Sequence, residues 1–212
     1  MTEQQRKTES ADAVIGLYDR QADLWDRVRG RSLMERVWLE RFLKRMPRSG
    51  SILDLGCGSG EPLARYFIER GYRVTGVDSS IRLLEMCRRR FPENEWLVAD
   101  MRELDLRRRF DGLVAWDSFF HLTPEAQRSM FPLFSRHVVP GGVLMFTSGP
   151  GHGEAIGELG GEALYHGSLA PEEYAVLLEQ NGFAVTGHVA EDAGCGGHTI
   201  WLATRLRETR GD

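Results

Sequence analysis

Ile52-Leu53-Asp54-Leu55-Gly56-Cys57-Gly58-Ser59-Gly60 is the stretch on which the fold turns. Apolar residues around one Asp read as a short buried strand. Glycines at alternate positions then break it, and Glu61-Pro62 opens a helical run. Strand, glycine turn and helix start together make a cradle for a nucleotide-like ligand. Glycine adopts backbone angles that other residues resist, and its missing side chain lets a ligand touch the main chain. The spacing is G-x-G-x-G, and the slot that would complete G-x-G-x-x-G holds Glu61. A carboxylate there is poorly suited to a pyrophosphate on a helix N-terminus. The ligand expected is therefore one without phosphates.

On either side of this turn the pattern alternates. Strands are expected at 52–55, 72–77, 95–99, 112–116, 143–148, 183–189 and 199–204. Helices are expected at 63–70, 81–90, 124–137 and 171–181, with Gly71 and Gly182 as stops. Such alternation predicts an α/β fold with a mostly parallel, doubly wound sheet. The short 192–197 connection makes the last two strands an antiparallel hairpin. Upstream, Val14, Leu17, Tyr18, Ala22 and Trp25 share one helical face, and a second helical run covers Leu33 to Leu43. Residues 1 to about 10 are polar and expected to fray.

Motifs follow the turn in order: Gly76-Val77-Asp78-Ser79, Val98-Ala99-Asp100-Met101, Phe110 to Trp116, and Pro140-Gly141-Gly142. With Leu53 to Gly60, this set resembles the class I S-adenosylmethionine-dependent methyltransferases over residues 50 to 205. The resemblance implies a Rossmann-like, seven-stranded sheet with the last strand antiparallel and an N-terminal helical cap. One domain is expected over 1–212, with the cap at 1–48 and the cofactor-binding core at 49–206. Tyr18-Asp19-x-x-Ala22-x-x-Trp25-Asp26 is similar to a pattern common in such caps, where the tyrosine lies near the methionine part of the cofactor; packing onto the core is the other reading of Tyr18 and Trp25.

The resemblance also implies site residues. Gly56, Cys57, Gly58 and Gly60 would approach the methionine and ribose through the main chain. Asp54 would orient the turn or reach the cofactor ammonium through water. Asp78 would accept from both ribose hydroxyls, with Ser79 beside it. Asp100 and Met101 would meet the adenine. Trp116 and Asp117 would lie at the methionine end. S-adenosyl-L-methionine is the cofactor implied, and S-adenosyl-L-homocysteine the product.

The cofactor carries its own leaving group, so the protein must align a nucleophile and exclude water. A base is needed only if the nucleophile arrives protonated. His121, Asp117 and Tyr18 are the catalytic candidates, with a backbone-bonded helix-start role as the alternative for His121. The glycine-rich run 147–168 reads as a substrate loop or lid, and His152, Tyr165 and His166 as substrate contacts. Arg29 and Arg31 read as solvated. No histidine pair has metal-ligand spacing, so no metal is expected.

Bulk properties narrow the partners. Net charge is −4 across 212 residues, so no overall basic field favours nucleic acid or an anionic membrane. The arginine runs 88–90 and 107–109 read as solvated faces. No apolar run is long enough to span a bilayer, and the N-terminus has no secretory h-region. The 3 scattered cysteines fit a reducing cytoplasm. A monomer or homodimer acting on a small molecule is expected, its O, N or S acceptor atom left open. A tRNA or protein acceptor is the alternative, and a non-catalytic cofactor-binding protein the alternative of another class. A nicotinamide oxidoreductase is disfavoured by Glu61.

Overall fold

The computed structural model describes residues 3–207. Three helices come first: α1 (Glu3–Arg20), α2 (Ala22–Val28) and α3 (Arg36–Leu43). The alternating part runs β1 (Ser51–Leu55), α4 (Leu63–Ile68), β2 (Arg73–Asp78), α5 (Ile81–Arg90), β3 (Glu95–Val98), β4 (Phe110–Ala115), α6 (Pro124–His137) and β5 (Val138–Ser148). Then come β6 (Gly153–Leu159), β7 (Glu162–Ser168), α7 (Pro171–Gln180), β8 (Phe183–Asp192) and β9 (His198–Arg205).

Seven strands form one sheet in the order β3-β2-β1-β4-β5-β9-β8. Its first five strands are mutually parallel, and β9 runs antiparallel between β5 and β8. The fold is the expected Rossmann-like α/β sheet. Strand order reverses between β1 and β4, which opens a crevice at the carboxyl ends of these two strands.

Strand side chains alternate between faces, so each strand feeds two cores. Ile52, Val74, Val114, Met145 and Leu202 face α3, α4 and α5, where Trp38, Phe42, Phe67 and Leu84 are buried. Leu53, Val77, Leu113, Phe146 and Trp201 face α6 and α7, with Phe131, Phe134, Tyr174 and Leu178. Truncating Phe131 or Phe134 to Ala is worth about 3–5 kcal/mol in such a core. Ser80 caps α5 by accepting from the Leu83 N–H at 3.2 Å, and Thr123 caps α6, with Pro124 following.

Two expectations are corrected. The first helix begins at Glu3, so residues 3–10, expected to fray, are helical; the rest of that expectation lies outside the described residues. The run 147–168 is no open loop: β6 and β7 pair in register from Gly153↔Ser168 to Leu159↔Glu162. Gly160 and Gly161, at φ 61° and 83°, make the two-residue turn, a conformation that glycine adopts without steric cost. Leu159, Leu164 and Tyr165 of this hairpin form a small core with Val14 and Leu17 of α1. Cap and hairpin therefore support each other.

Candidate active site

The carboxyl ends of β1, β2 and β4 open into a cavity of about 1080 Å³, walled on the cap side by Val14, Tyr18, Trp25 and Arg29. The glycine turn is pinned to β2, because the Gly56 and Cys57 N–H groups donate to the Val77 carbonyl at 2.8 and 3.1 Å. Gly56 has φ 72°, and a Cβ there would lie 2.2 Å from Ser118 Cβ. Only glycine lets the loop after β4 cross this turn. Ser118 in turn donates to the Leu55 carbonyl at 2.7 Å. Gly58, Cys57 and Ser79 also line the cavity, while Gly60 is tucked behind it against Phe91 and Cys87.

Asp78 braces the turn. One oxygen accepts from the Gly58 N–H at 2.8 Å and the other from the Ser80 N–H at 2.9 Å. This is the role expected of Asp54. Asp54 instead lines the cavity, and among the described residues no donor meets its carboxyl group. Burial, and then the neighbouring Asp78, push Asp54 up to about 7. Burial also raises Asp78, against the N–H bonds from Ser80, Gly58 and Ser79. Two neighbouring carboxyl groups, both raised by burial and one of them without a donor, suit a cationic ligand.

Beyond β3, Asp100 accepts from the Arg102 N–H at 2.9 Å and pairs with its guanidinium at 2.5 Å. Burial works to raise this carboxyl group, but the Arg102 bonds hold it below the ordinary range. Met101 lies over the turn, its Cε 3.4 Å from where a Gly56 Cβ would be. Glu61 is buried and neutralised by Arg65, whose Nη2 lies 2.6 Å from it.

At the opposite end, the residues after β4 meet the cap. Arg29 is not solvated as expected: its side chain is 9% exposed and lies 2.5 Å from Glu35 and 3.7 Å from Asp117. Asp117 has φ 50°, is held by its N–H to Thr147 Oγ1 at 2.9 Å, and lies 2.9 Å from His198 Nε2. The Trp116 ring stacks on His198 at 5.5 Å. Its Nε1–H is buried without a partner among the described residues. Arg90 also departs from the solvated reading, gripping Asp26 of α2 at 2.7 Å through two nitrogens. That contact fastens the cap to α5 and holds Asp26 well below the carboxylate range. Arg88 donates to the Trp96 carbonyl, and Arg108 pairs with Glu95.

Tyr18 and His121, 103 residues apart, meet at 2.9 Å between Oη and Nε2. His121 Nδ1 lies 2.8 Å from the Tyr165 carbonyl. A carbonyl only accepts, so Nδ1 carries the proton. Burial lowers His121 to about 4, which keeps the ring neutral and leaves Nε2 as an acceptor. Tyr18 therefore donates to Nε2, and its oxygen lone pairs are free toward the cavity. Burial, with Asp117 and Asp78 nearby, raises Tyr18 above its ordinary value, so it stays a phenol.

The three residues read as substrate contacts separate. The Tyr165 ring is fully buried, its hydroxyl donates to Glu154 at 2.7 Å, and it enters the site through its carbonyl alone. His166 stacks near His121 and Phe120, at 4.9 and 5.3 Å, and lines a second, open cavity of about 740 Å³ beside the hairpin. His152 is exposed on the turn before β6, outside the residues lining either cavity. Glu35 and His198 were not read as site residues, because neither belongs to a motif. No group of His, Cys, Asp and Glu suited to a metal ion occurs among the described residues.

Known proteins agree with this geometry. A family model described as "Methyltransferase domain" matches residues 52–142. Trans-aconitate 2-methyltransferase from Azoarcus sp. (strain BH72) is 31% identical over 178 residues, 72% of this chain and 68% of that protein. The chain belongs to the class I S-adenosylmethionine-dependent methyltransferases. Its cofactor is S-adenosylmethionine, and the paired Asp54 and Asp78 carboxylates beside a bare glycine main chain fit that cationic ligand. Another relative of this methyltransferase, dTDP-4-amino-2,3,4,6-tetradeoxy-D-glucose N,N-dimethyltransferase from Saccharopolyspora spinosa, is 33% identical over 101 residues. The match covers 47% of this chain and 40% of that protein, so the chain spans under half of the sugar enzyme's length. An amino pentose methyltransferase from Micromonospora echinaspora, solved with S-adenosylmethionine bound, shares the fold at TM-score 0.69 and 21% identity, over 87% of this chain and 96% of that one.

Proposed function

We propose that this methyltransferase methylates a neutral amine on a small molecule. The observation that carries the reading is the protonation pattern of the Tyr18–His121 pair. The Tyr165 carbonyl fixes the Nδ1–H tautomer, Nε2 accepts the hydrogen bond of the Tyr18 hydroxyl, and the Tyr18 oxygen is left as an acceptor. Such an oxygen can hold an N–H and turn the nitrogen lone pair toward the reacting carbon.

Magnitudes separate the acceptor classes. An aliphatic hydroxyl holds its proton about as tightly as water, near pKa 15.7. Moving that proton fully to His121, at about 4, costs roughly 16 kcal/mol at ~1.36 kcal/mol per unit. An amine of pKa ~10 frees its lone pair near neutral pH for about 4 kcal/mol, with no base in the site. A carboxylate acceptor would meet the carboxylates of Asp54, Asp78 and Asp117, which line the same cavity.

S-adenosylmethionine supplies the methyl group and its own leaving group when bound. In this reading Asp78 and Ser79 hold the ribose, Asp100 and Met101 the adenine, and the Gly56–Gly60 main chain, Cys57, Trp116 and Asp117 the methionine end. Asp54 faces the positive charge. Tyr18, positioned by His121, orients the acceptor, and the rest of the acceptor extends past His166 and Phe120. The cap at 1–48 closes over a core at 49–206. No described helix is long and apolar enough to cross a membrane. The reading extends to a cytoplasmic monomer or homodimer whose acceptor is not a nucleic acid, since Arg88, Arg90 and Arg108 are engaged within the protein.

The test offers dTDP-4-amino-2,3,4,6-tetradeoxy-D-glucose and trans-aconitate separately, with S-adenosylhomocysteine release as readout. Turnover of the amine that rises with pH toward its own pKa is expected. Turnover of trans-aconitate alone overturns the reading.

A further inference from the structure

We propose that His198 is a positioning residue: as an imidazolium it holds Asp117 away from Arg29, so that both charges stay available to the amino-acid end of the cofactor. The proposal rests on the reading above that this end of the cavity receives the methionine moiety.

Four charges, Glu35 buried and the other three half-buried, alternate in a chain from the cap to the last strand. Glu35 is fully buried and meets Arg29 at 2.5 Å. Arg29 lies 3.7 Å from Asp117 Oδ2, and Asp117 Oδ1 lies 2.9 Å from His198 Nε2. Arg29 and Asp117 line the cavity; Glu35 and His198 do not. The other ring nitrogen, His198 Nδ1, lies 2.7 Å from the Cys195 carbonyl. Both ring nitrogens thus face oxygens that carry no proton, a geometry that suits a doubly protonated ring. The set is then neutral: Glu35 and Asp117 against Arg29 and His198.

Other groups near the ring do not replace this charge. From the β8–β9 turn come Asp192, tied to Trp38 Nε1 at 2.8 Å, and the Cys195 thiol, which burial pushes up to about 12. Trp116 stacks on the ring and carries no charge. His198 is raised above its ordinary value chiefly by Asp117, with Glu35 contributing; the Nε2–Oδ1 contact is an ion pair by distance, and Oδ1 takes no well-directed hydrogen bond among the described residues.

The consequence has a definite sign. A neutral His198 leaves the set at net −1. Asp117 then closes the 3.7 Å gap to Arg29, and the two cavity charges satisfy each other. Cofactor affinity falls as pH rises through the raised His198 pKa.

The experiment titrates wild type and His198→Gln with S-adenosylhomocysteine and with 5′-methylthioadenosine, which has the nucleoside and sulfur but no amino-acid end, from pH 6 to pH 8.5. Relative to His198→Gln, in which Asp54 titrates as it does in wild type, wild-type affinity for S-adenosylhomocysteine is expected to fall about tenfold over this range, within the span usual for coupled sites. His198→Gln is expected to bind it weakly at pH 6 and to lack this fall. Binding of 5′-methylthioadenosine is expected to be the same in both proteins at every pH, which also shows that the variant folds. If His198→Gln retains wild-type affinity and pH profile for S-adenosylhomocysteine, the His198 role fails alone. If the variant weakens both ligands equally, His198 is structural and the proposal fails. If wild type binds neither ligand, the cofactor reading fails with it.

Discussion

Asp54 is the residue whose substitution separates folding from binding most sharply. It is 3% exposed, and its folded pKa near 7 stands against an ordinary 3.8. A raised carboxyl pKa means that the folded protein binds a proton that the unfolded chain has released. Stability is therefore greatest below pH 3.8 with respect to this group, and declines as pH rises toward 7. About three units at ~1.36 kcal/mol each make the loss about 4 kcal/mol by pH 8. Asp54→Asn keeps the shape and removes the titration. In the cofactor-free protein it should stabilise by about 2–4 kcal/mol at pH 8 and by little at pH 4.

Urea unfolding of both proteins at pH 4, 6 and 8, without cofactor, measures this difference. The same carboxyl group should release a proton when the cationic cofactor binds near pH 7, because a nearby positive charge favours the ionised form. Titrations in buffers of different ionisation enthalpy would show that release in wild type and its loss in Asp54→Asn. A destabilised Asp54→Asn at all three pH values would refute the reasoning, since it would mean that the carboxylate has a structural partner.

Asp78→Ala should lower S-adenosylhomocysteine affinity at least 100-fold in calorimetry, because it removes the proposed ribose acceptor and frees the Gly58 N–H together. His121 should make the protein acid-sensitive. Its folded pKa near 4 lies below the ordinary 6.5, so stability present above pH 6.5 is lost toward pH 4, by about 3 kcal/mol. Thermal melts of His121→Asn should show a shallower acid slope. Gly56→Ala should lose about 2–4 kcal/mol in urea unfolding, from the positive φ and the 2.2 Å approach to Ser118. Gln127→Leu should cost about 2–3 kcal/mol, as it leaves the Leu122 and Gly167 carbonyls and the Tyr174 hydroxyl without their buried partner; the same melts check it.

The sheet was legible because its signals are local. Val143 to Phe146 is an apolar run just after Gly142, Leu53 and Leu55 flank Asp54 just before Gly56, and Asp78 ends its strand. The hairpin β6–β7 was missed although Gly160-Gly161 marks its turn. Its strands carry weak alternation, because β6 is largely exposed and β7 packs on α1 rather than on the main sheet. Arg29 was misread for a different reason. Its burial depends on Glu35, Asp117 and the cap's placement, none of which shows in the spacing around residue 29. Asp78 rather than Asp54 braces the glycine turn, because motif position does not reveal which carboxylate the turn's N–H groups face.

The acceptor chemistry depends on an atom that no side-chain motif could announce. Tyr18 comes from the cap, His121 from the loop after β4, and the tautomer of His121 is set by a main-chain carbonyl of the hairpin. Were Tyr165 O to move away, Nε2 could carry the proton, and Tyr18 would then accept from His121 and turn its own proton to the cavity. An acceptor amine would meet a donor in place of an acceptor. The hairpin therefore shapes the direction of hydrogen bonding at the reacting centre. It does so from behind the histidine, through Gln127, which bonds both the Leu122 and Gly167 carbonyls and ties the end of the hairpin to the helix that follows His121.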